Sequence, residues 1–297
     1  MPIDHADPAD DPGEVRPSSA SRVPDAIPPP PDAQDRAAAH RAYRDKVDQV
    51  YAAARAWAEE VPSLRAAWSK HQEQYPERMR DAPQTHPDNS WSSGDARRLT
   101  PDQNTAADRG FSRIREIGER EIVPKMIALE AEEPSRHLAG LDHHIKGTDR
   151  LKEKIADRMR TKGQTPDQSL AEIPDAVRFT LQYSENTYAA GVRGDVKRLE
   201  DQGFIQVERR NTWDDDQYKG INSRWREPKS GVLFEVQFHT QASLEAKELT
   251  HQAYERVRST AHDDERVILK EFQRRVNSVI PIPPGAGEIE DYPLGGK

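Results

Sequence analysis

The stretch that decides the fold runs from residue 218 to 251 and reads YKGINSRWREPKSGVLFEVQFHTQASLEAKELTH. In its second half Val232, Phe234, Val236 and Phe238 alternate with Leu233, Glu235, Gln237 and His239, the period-2 signature of a strand with one apolar and one polar face. Upstream, Tyr218, Gly220, Asn222 and Arg224 alternate with Lys219, Ile221, Ser223 and Trp225, and Pro228–Gly231 supplies turn chemistry. A hairpin with that four-residue loop pairs Glu227 with Val232. Carried back along the ladder, the register sets Arg224 opposite Glu235 and Asn222 opposite Gln237. A carboxylate, two amides, an imidazole and a guanidinium then share one sheet face. A functional site and a solvated antiparallel face both account for that set.

Working outward, Asp175 leads into a β-rich run, Ala176–Tyr183. A helix from Glu185 to about Gln202 follows, ended by Gly203, and then a strand over Phe204–Glu208. After the hairpin comes a helix over Ala242–Arg258. Before Asp175, the segment from Asp149 to about Arg160 has helical spacing with two adjacent stripes. Leu151, Ile155 and Met159 make an apolar one; Arg150, Lys154 and Arg158 make a basic one about 100° further round. Lys146 extends the basic line, which could grip a polyphosphate. Interleaved Asp149, Glu153 and Asp157 equally suit a plain solvated face. The adjacent His143 and His144 do not converge on one ion and are read as structural. These elements predict an α+β domain, a mixed sheet flanked by helices, over residues 138–280.

The rest of the chain frames this domain. Residues 35–137 read as helical: one helix from Asp35 to about Glu60, a break at Pro62, and a second from Ser63 to about Gln74. Residues 76–104 are polar, with a lone Trp91, and are expected to be a linker. A further helix begins near Thr105 and carries Phe111, Ile114, Ile117 and Ile122, with Pro124 a kink or a new start. Nine prolines crowd the first 31 residues, so 1–34 reads as a disordered leader. Residues 281–297 read as a flexible tail, and Asp214–Asp216 as a solvated turn.

Composition narrows the function classes. Hydrophobic residues make up 34% and charged residues 32%, too polar for one globule throughout. The absence of cysteine excludes disulfides, thiolate zinc sites and cysteine nucleophiles. A net charge of -8 argues against broad nucleic-acid binding and directs attention to a local basic patch. The acidic leader has no apolar h-region and no run is long enough to span a bilayer, so action in the cytoplasm is expected, without a membrane role.

In this order (basic segment into helix, Asp-led strand, helix, strand, Tyr-led strand, then Glu-Val-Gln-Phe-His-Thr), the pieces over about 138–260 resemble the synthetase domain of RelA/SpoT-type alarmone synthetases. The stand-alone and toxin-associated members are the nearest in form. The resemblance implies a nucleotidyltransferase-like fold and an ATP-dependent 3′-pyrophosphokinase with Mg²⁺ as cofactor and a purine nucleotide as acceptor. It implies Asp175 and Glu235 as catalytic and metal-binding carboxylates. Lys146, Arg150, Lys154 and Arg178 would be ATP contacts, and Tyr218, Asn222, Gln237 and His239 acceptor contacts. A toxin or exported effector with a neutralising antitoxin or immunity partner fits the helical front and leader. The family's Asp-x-x-Gly-x-Arg is shortened here to Asp175-Ala-Val-Arg178. Asn222 stands where many members have His, and His239 where many have Arg. The alternatives are pyrophosphate transfer to a tRNA 3′ end, and a non-catalytic interaction protein with a degenerate synthetase-like domain.

Overall fold

The computed structural model describes residues 33–75, 82–94, 96–259 and 263–293. The leader expected over 1–34 lies, but for its last two positions, outside the described residues. The chain divides into two units, Met1–Ala42 and Tyr43–Lys297. In the first, the described residues are helical; the second holds every other element.

The hairpin forms in the register read from the sequence. Strand β7 (Ile221–Arg226) pairs antiparallel with β8 (Leu233–Thr240), Asn222 opposite Gln237 and Arg224 opposite Glu235. The Glu227 N–H donates to the Val232 carbonyl at 2.9 Å and closes the loop. Around this pair lies a five-stranded mixed sheet in the order β4-β5-β8-β7-β6, with β4 at Arg136–Ala139, β5 at Arg178–Tyr183 and β6 at Ile205–Asn211. Only β5 and β8 run parallel, and Arg178 is the partner of Glu235. Phe179, Leu181, Phe234, Val236 and Phe238 line one face as continuous core. The polar face is covered too: Thr180, Gln237 and His239 are buried beneath α7 (Gln241–Ser259). Only the Arg224 end of this face stays exposed, where Arg224 pairs with Glu208.

Helix α4 (Thr148–Lys162) carries both expected stripes, with Leu151 and Ile155 buried. Four further helices complete the sheet domain: α3 (Val123–Ala131), α5 (Pro166–Ala171), α6 (Tyr188–Asp201) and α8 (Asp263–Ser278). Under α6, Arg136 and Asp195 form an ion pair with no exposed side-chain surface, and Asp195 also accepts from Tyr183 Oη at 2.7 Å.

Three expectations are corrected. Pro62 does not end a helix: α1 runs unbroken over Ala33–Gln74 with Pro62 inside it. Contacts on both sides of the proline offset the missing N–H bond, worth about 3 kcal/mol. Trp57 Nε1 donates to Glu245 and Trp68 Nε1 to Gln252, each at 3.1 Å, while Leu64 is buried. The expected linker contains a three-stranded antiparallel sheet, β1 (Gln84–Thr85), β2 (Trp91–Ser93) and β3 (Arg97–Leu99), with Trp91 and Leu99 buried. Helix α2 then starts at Pro101, because Thr100 and Gln103 form a capping box that supplies the missing partners of its first turn. It passes through a π-helical turn, Gly118–Ile122, into α3, so Pro124 marks a new start. The described part of the expected flexible tail, residues 281–293, packs on β6. Arg209 and Tyr292 exchange both backbone hydrogen bonds at 2.8 Å, Asn211 Nδ2 donates to the Ala286 and Ile289 carbonyls, and Ala286 and Ile289 are buried.

Candidate active site

Backbone pairing next to β5 builds the site. Pro174–Ala176 is a single 3-10 turn, so the strand cannot start at Asp175, whose φ of -92° and ψ of 18° lie in the bridge region. Immediately after it, Val177 pairs with Ile145, the Lys146 N–H donates to the Ala176 carbonyl, and the Arg178 N–H donates to the His144 carbonyl at 2.7 Å. On the other side the Glu235 N–H donates to the Val177 carbonyl at 3.0 Å. Lys146, Asp175 and Glu235 are thus brought to one place by three segments remote in sequence.

Asp175 is the centre. Lys146 Nζ lies 3.0 Å and Lys154 Nζ 2.5 Å from the same carboxylate oxygen, Oδ2. Its other oxygen, Oδ1, is buried and has no hydrogen-bond partner. Burial pushes the Asp175 pKa up, but Lys146 and Lys154 outweigh burial and hold it below the usual aspartate value. The lysines are the under-neutralised side, two ammoniums to one carboxylate, and burial pulls Lys146 below the usual lysine value. Glu235 is shifted the other way: burial first, then the Asp175 charge, raise its pKa. Neighbouring carboxylates with opposed shifts divide naturally into one that stays ionised and one that can take a proton.

The remaining expected residues sit in different settings, and Gln237 is buried under α7 with its Oε1 taken by Lys247. Arg178, at the mouth of β5, faces Glu235 and lowers its pKa, as does Lys247. Tyr218 is half-buried, and its hydroxyl donates to Asn222 Oδ1 at 2.9 Å, so those two act together. Arg150 stands apart, exposed on α4 and paired with Glu153 at 3.1 Å. His239 is a correction. It has no exposed surface, its Nε2 is engaged with Tyr218 Oη and its Nδ1 with Ser243 Oγ, both at 2.9 Å, so no ring nitrogen is left for an acceptor. Gly220 makes this burial possible, since a Cβ there would sit 2.8 Å from the imidazole. Burial, then the Lys247 and Arg178 charges, drive the His239 pKa well below the usual value and keep the ring neutral. His143 is exposed, and His144 bonds the Leu141 carbonyl through Nδ1 and stacks on Phe179.

Lys247 was absent from the expected set. It reaches from α7 to Gln237 Oε1 at 2.6 Å, and burial, then Arg178, bring its pKa down to about 8. Its signal in the sequence was its place one helical turn before His251, on the face that meets β8; His251 too is lowered, by burial above all.

Among the described residues no group of three or more His, Asp or Glu could by itself hold a metal ion. Mg²⁺ rarely asks for that: it takes one or two protein carboxylates and fills its shell with water and substrate phosphate. The partnerless buried oxygen of Asp175, whose charge also raises the Glu235 pKa, fits such a role.

No protein-family model matches the chain, and no curated protein matches it. Solved structures do. Small alarmone synthetase 1 from Bacillus subtilis is similar over 58% of this chain and 91% of its own, at 13% identity and a TM-score of 0.41. A GTP pyrophosphokinase family protein from Streptococcus pneumoniae is similar over 64% and 94%, at 14% identity and a TM-score of 0.41. Small alarmone synthetase 2 from Bacillus subtilis is similar over 56% and 91%, at 14% identity and a TM-score of 0.40. At such identities and scores the likeness carries nothing about activity. No described helix is long and apolar enough to cross a membrane.

Proposed function

We propose that this chain is a nucleotide 3′-pyrophosphokinase, transferring the β,γ-diphosphate of ATP to the ribose 3′-hydroxyl of a purine nucleotide. The observation that carries the reading is the arrangement at Asp175. Two ammoniums share one carboxylate oxygen, the other oxygen is buried without a partner, and a second carboxylate with a raised pKa lies alongside. Phosphoryl-type transfer is mainly positioning and charge neutralisation, so cations and fixed carboxylates are the parts it needs.

In this reading Lys146, Lys154 and Arg178 contact the polyphosphate, and the Tyr218 ring stacks on the acceptor base with Asn222 at its hydroxyl. Asp175 and Glu235 would hold Mg²⁺, which supplies charge neutralisation at the phosphates. The 3′-hydroxyl oxygen forms a bond to the β-phosphorus as the bond from that phosphorus to the α,β-bridging oxygen breaks. The electron pair leaves with AMP, and the hydroxyl proton passes to Glu235. The test is thin-layer chromatography of labelled ATP with purine nucleotides and with tRNA. AMP release with a nucleotide 3′-diphosphate is the expected result. Label on tRNA alone would redirect the acceptor to a nucleic-acid end, and no AMP with any acceptor would end the reading.

A further inference from the structure

Helix α4 has three stripes, not two. Asp149, Glu153 and Asp157 recur every four residues, about 6 Å per step, on a face roughly 100° from Arg150, Lys154 and Arg158. Left alone, Glu153 and Asp157 would neutralise Arg150 and Lys154, each three residues upstream. Glu153 does pair with Arg150 at 3.1 Å, but all three acids are also held by the small sheet. Trp91 Nε1 donates to Asp149 Oδ1 at 2.9 Å, Ser93 Oγ to Glu153 Oε1 at 2.7 Å and Arg97 Nε to Asp157 Oδ2 at 3.0 Å. The match is geometric. Alternate strand residues repeat at about 6.6–6.8 Å, close to the helical step, and Arg97 is the cross-strand partner of Ser93.

We infer that Arg97 is a positioning residue for Lys154: by occupying Asp157 it leaves the Lys154 ammonium to Asp175 and to an incoming phosphate. Asp157 lies three positions beyond Lys154, one turn away, and its other partner, Arg160, is at the longer distance of 3.4 Å. Without Arg97, Asp157 competes with Asp175 for Lys154. The functional weight of this inference rests on Lys154 being the proposed phosphate contact; the placement of the ammonium does not.

The test therefore has two readouts on the intact chain. The first is the NMR signal of the Lys154 side-chain ammonium. Arg97→Ala should move it toward its position in Asp175→Asn, and Asp157→Asn added to Arg97→Ala should bring it back. The second is equilibrium binding of ATP. Arg97→Ala should weaken it by about two- to fivefold, the range of a partly exposed pair, and the added Asp157→Asn should restore it. A Lys154 signal unmoved by Arg97→Ala overturns the inference. So does a double variant worse than the single, which would mean Arg97 merely braces the helix. If the signal moves and returns but Lys154→Ala binds ATP normally, the inference stands and the phosphate role of Lys154 fails.

Discussion

The hydroxyl of Tyr218 lies 2.9 Å from both Asn222 Oδ1 and His239 Nε2, and that double contact assigns every proton in the chain of groups. The amide oxygen can only accept, so Tyr218 donates to it. His239 Nε2 must then carry the ring proton and donate to the phenol, and Nδ1 accepts from Ser243. The tyrosine ring is held by a relay that ends in a buried neutral imidazole.

Tyr218→Phe should for that reason be costly even though the ring face remains. It leaves Nε2–H without its acceptor and Asn222 without its donor, a loss of about 1–3 kcal/mol. Steady-state kinetics should show a raised acceptor KM, little change in the KM for ATP, and a lower melting temperature. Tyr218→Ala should raise the acceptor KM further, since a base–aromatic stack is worth roughly 1–3 kcal/mol. A silent Tyr218→Phe would show that the relay does not hold the ring.

Asp175→Asn and Glu235→Gln should both abolish AMP release yet change stability in opposite directions. The depressed Asp175 pKa means its carboxylate stabilises the fold above its ordinary value of 3.8, a contribution lost as pH falls through the folded value. Its amide leaves Lys146 without a counter-ion, at about 1–3 kcal/mol for a partly solvated pair. The raised Glu235 pKa means ionisation costs stability as pH rises from 4.5 through the folded value, so Glu235→Gln should melt higher at neutral pH. Thermal scans of both variants decide this; shifts of the same sign would contradict it.

Lys247 predicts a pH dependence. Its pKa falls from 10.5 to about 8, so between those values the unfolded chain holds a proton that the native state has released, and stability rises with pH. Below that window the cost of a buried ammonium is present in full. Lys247→Met should therefore stabilise the free protein near neutrality, and the gain should fade as the window is crossed. Unfolding at about pH 7 and about pH 10 measures it; an equal gain at both would assign the effect to packing.

The buried Arg136–Asp195 pair bonds to Leu129, Tyr183 and Arg198 and to no candidate site residue, and should matter only to stability. Asp195→Asn removes a carboxylate whose pKa burial raises, yet it strands a guanidinium with no exposed surface, so the net cost should be about 1–3 kcal/mol, below that of a fully broken buried pair. Urea unfolding tests this, and a cost below about 1 kcal/mol would mean water reaches Arg136.

The hairpin was legible because its strands alternate cleanly and Pro228–Gly231 leaves one loop length, so period and turn chemistry agreed on one register. The pairing of Asp175 with Lys146 and Lys154 was legible only as residue types, since their meeting depends on the Ile145–Val177 bridge, for which a local pattern has no sign. Pro62 and Trp91 misled for one reason. Each is judged locally as a breaker or a stray aromatic, and each is overruled by a partner more than 50 residues away, Trp57 beside the proline by Glu245 and Trp91 by Asp149. His239 misled because alternation gives the face a side chain occupies, not whether a helix will cover that face.

The segment that returns to pair Tyr292 with Arg209 also bears on how the protein behaves among its own copies. A sheet exposes unpaired backbone at its two margins, and such margins recruit other chains. Here β4 is only four residues long, and β6 has its Arg209–Asn211 end taken by the returning segment. Neither margin offers a long template for intermolecular strand addition. Removing the last stretch beyond Ile280 would bare that end of β6, and the shortened protein should self-associate on sizing columns in proportion to its concentration.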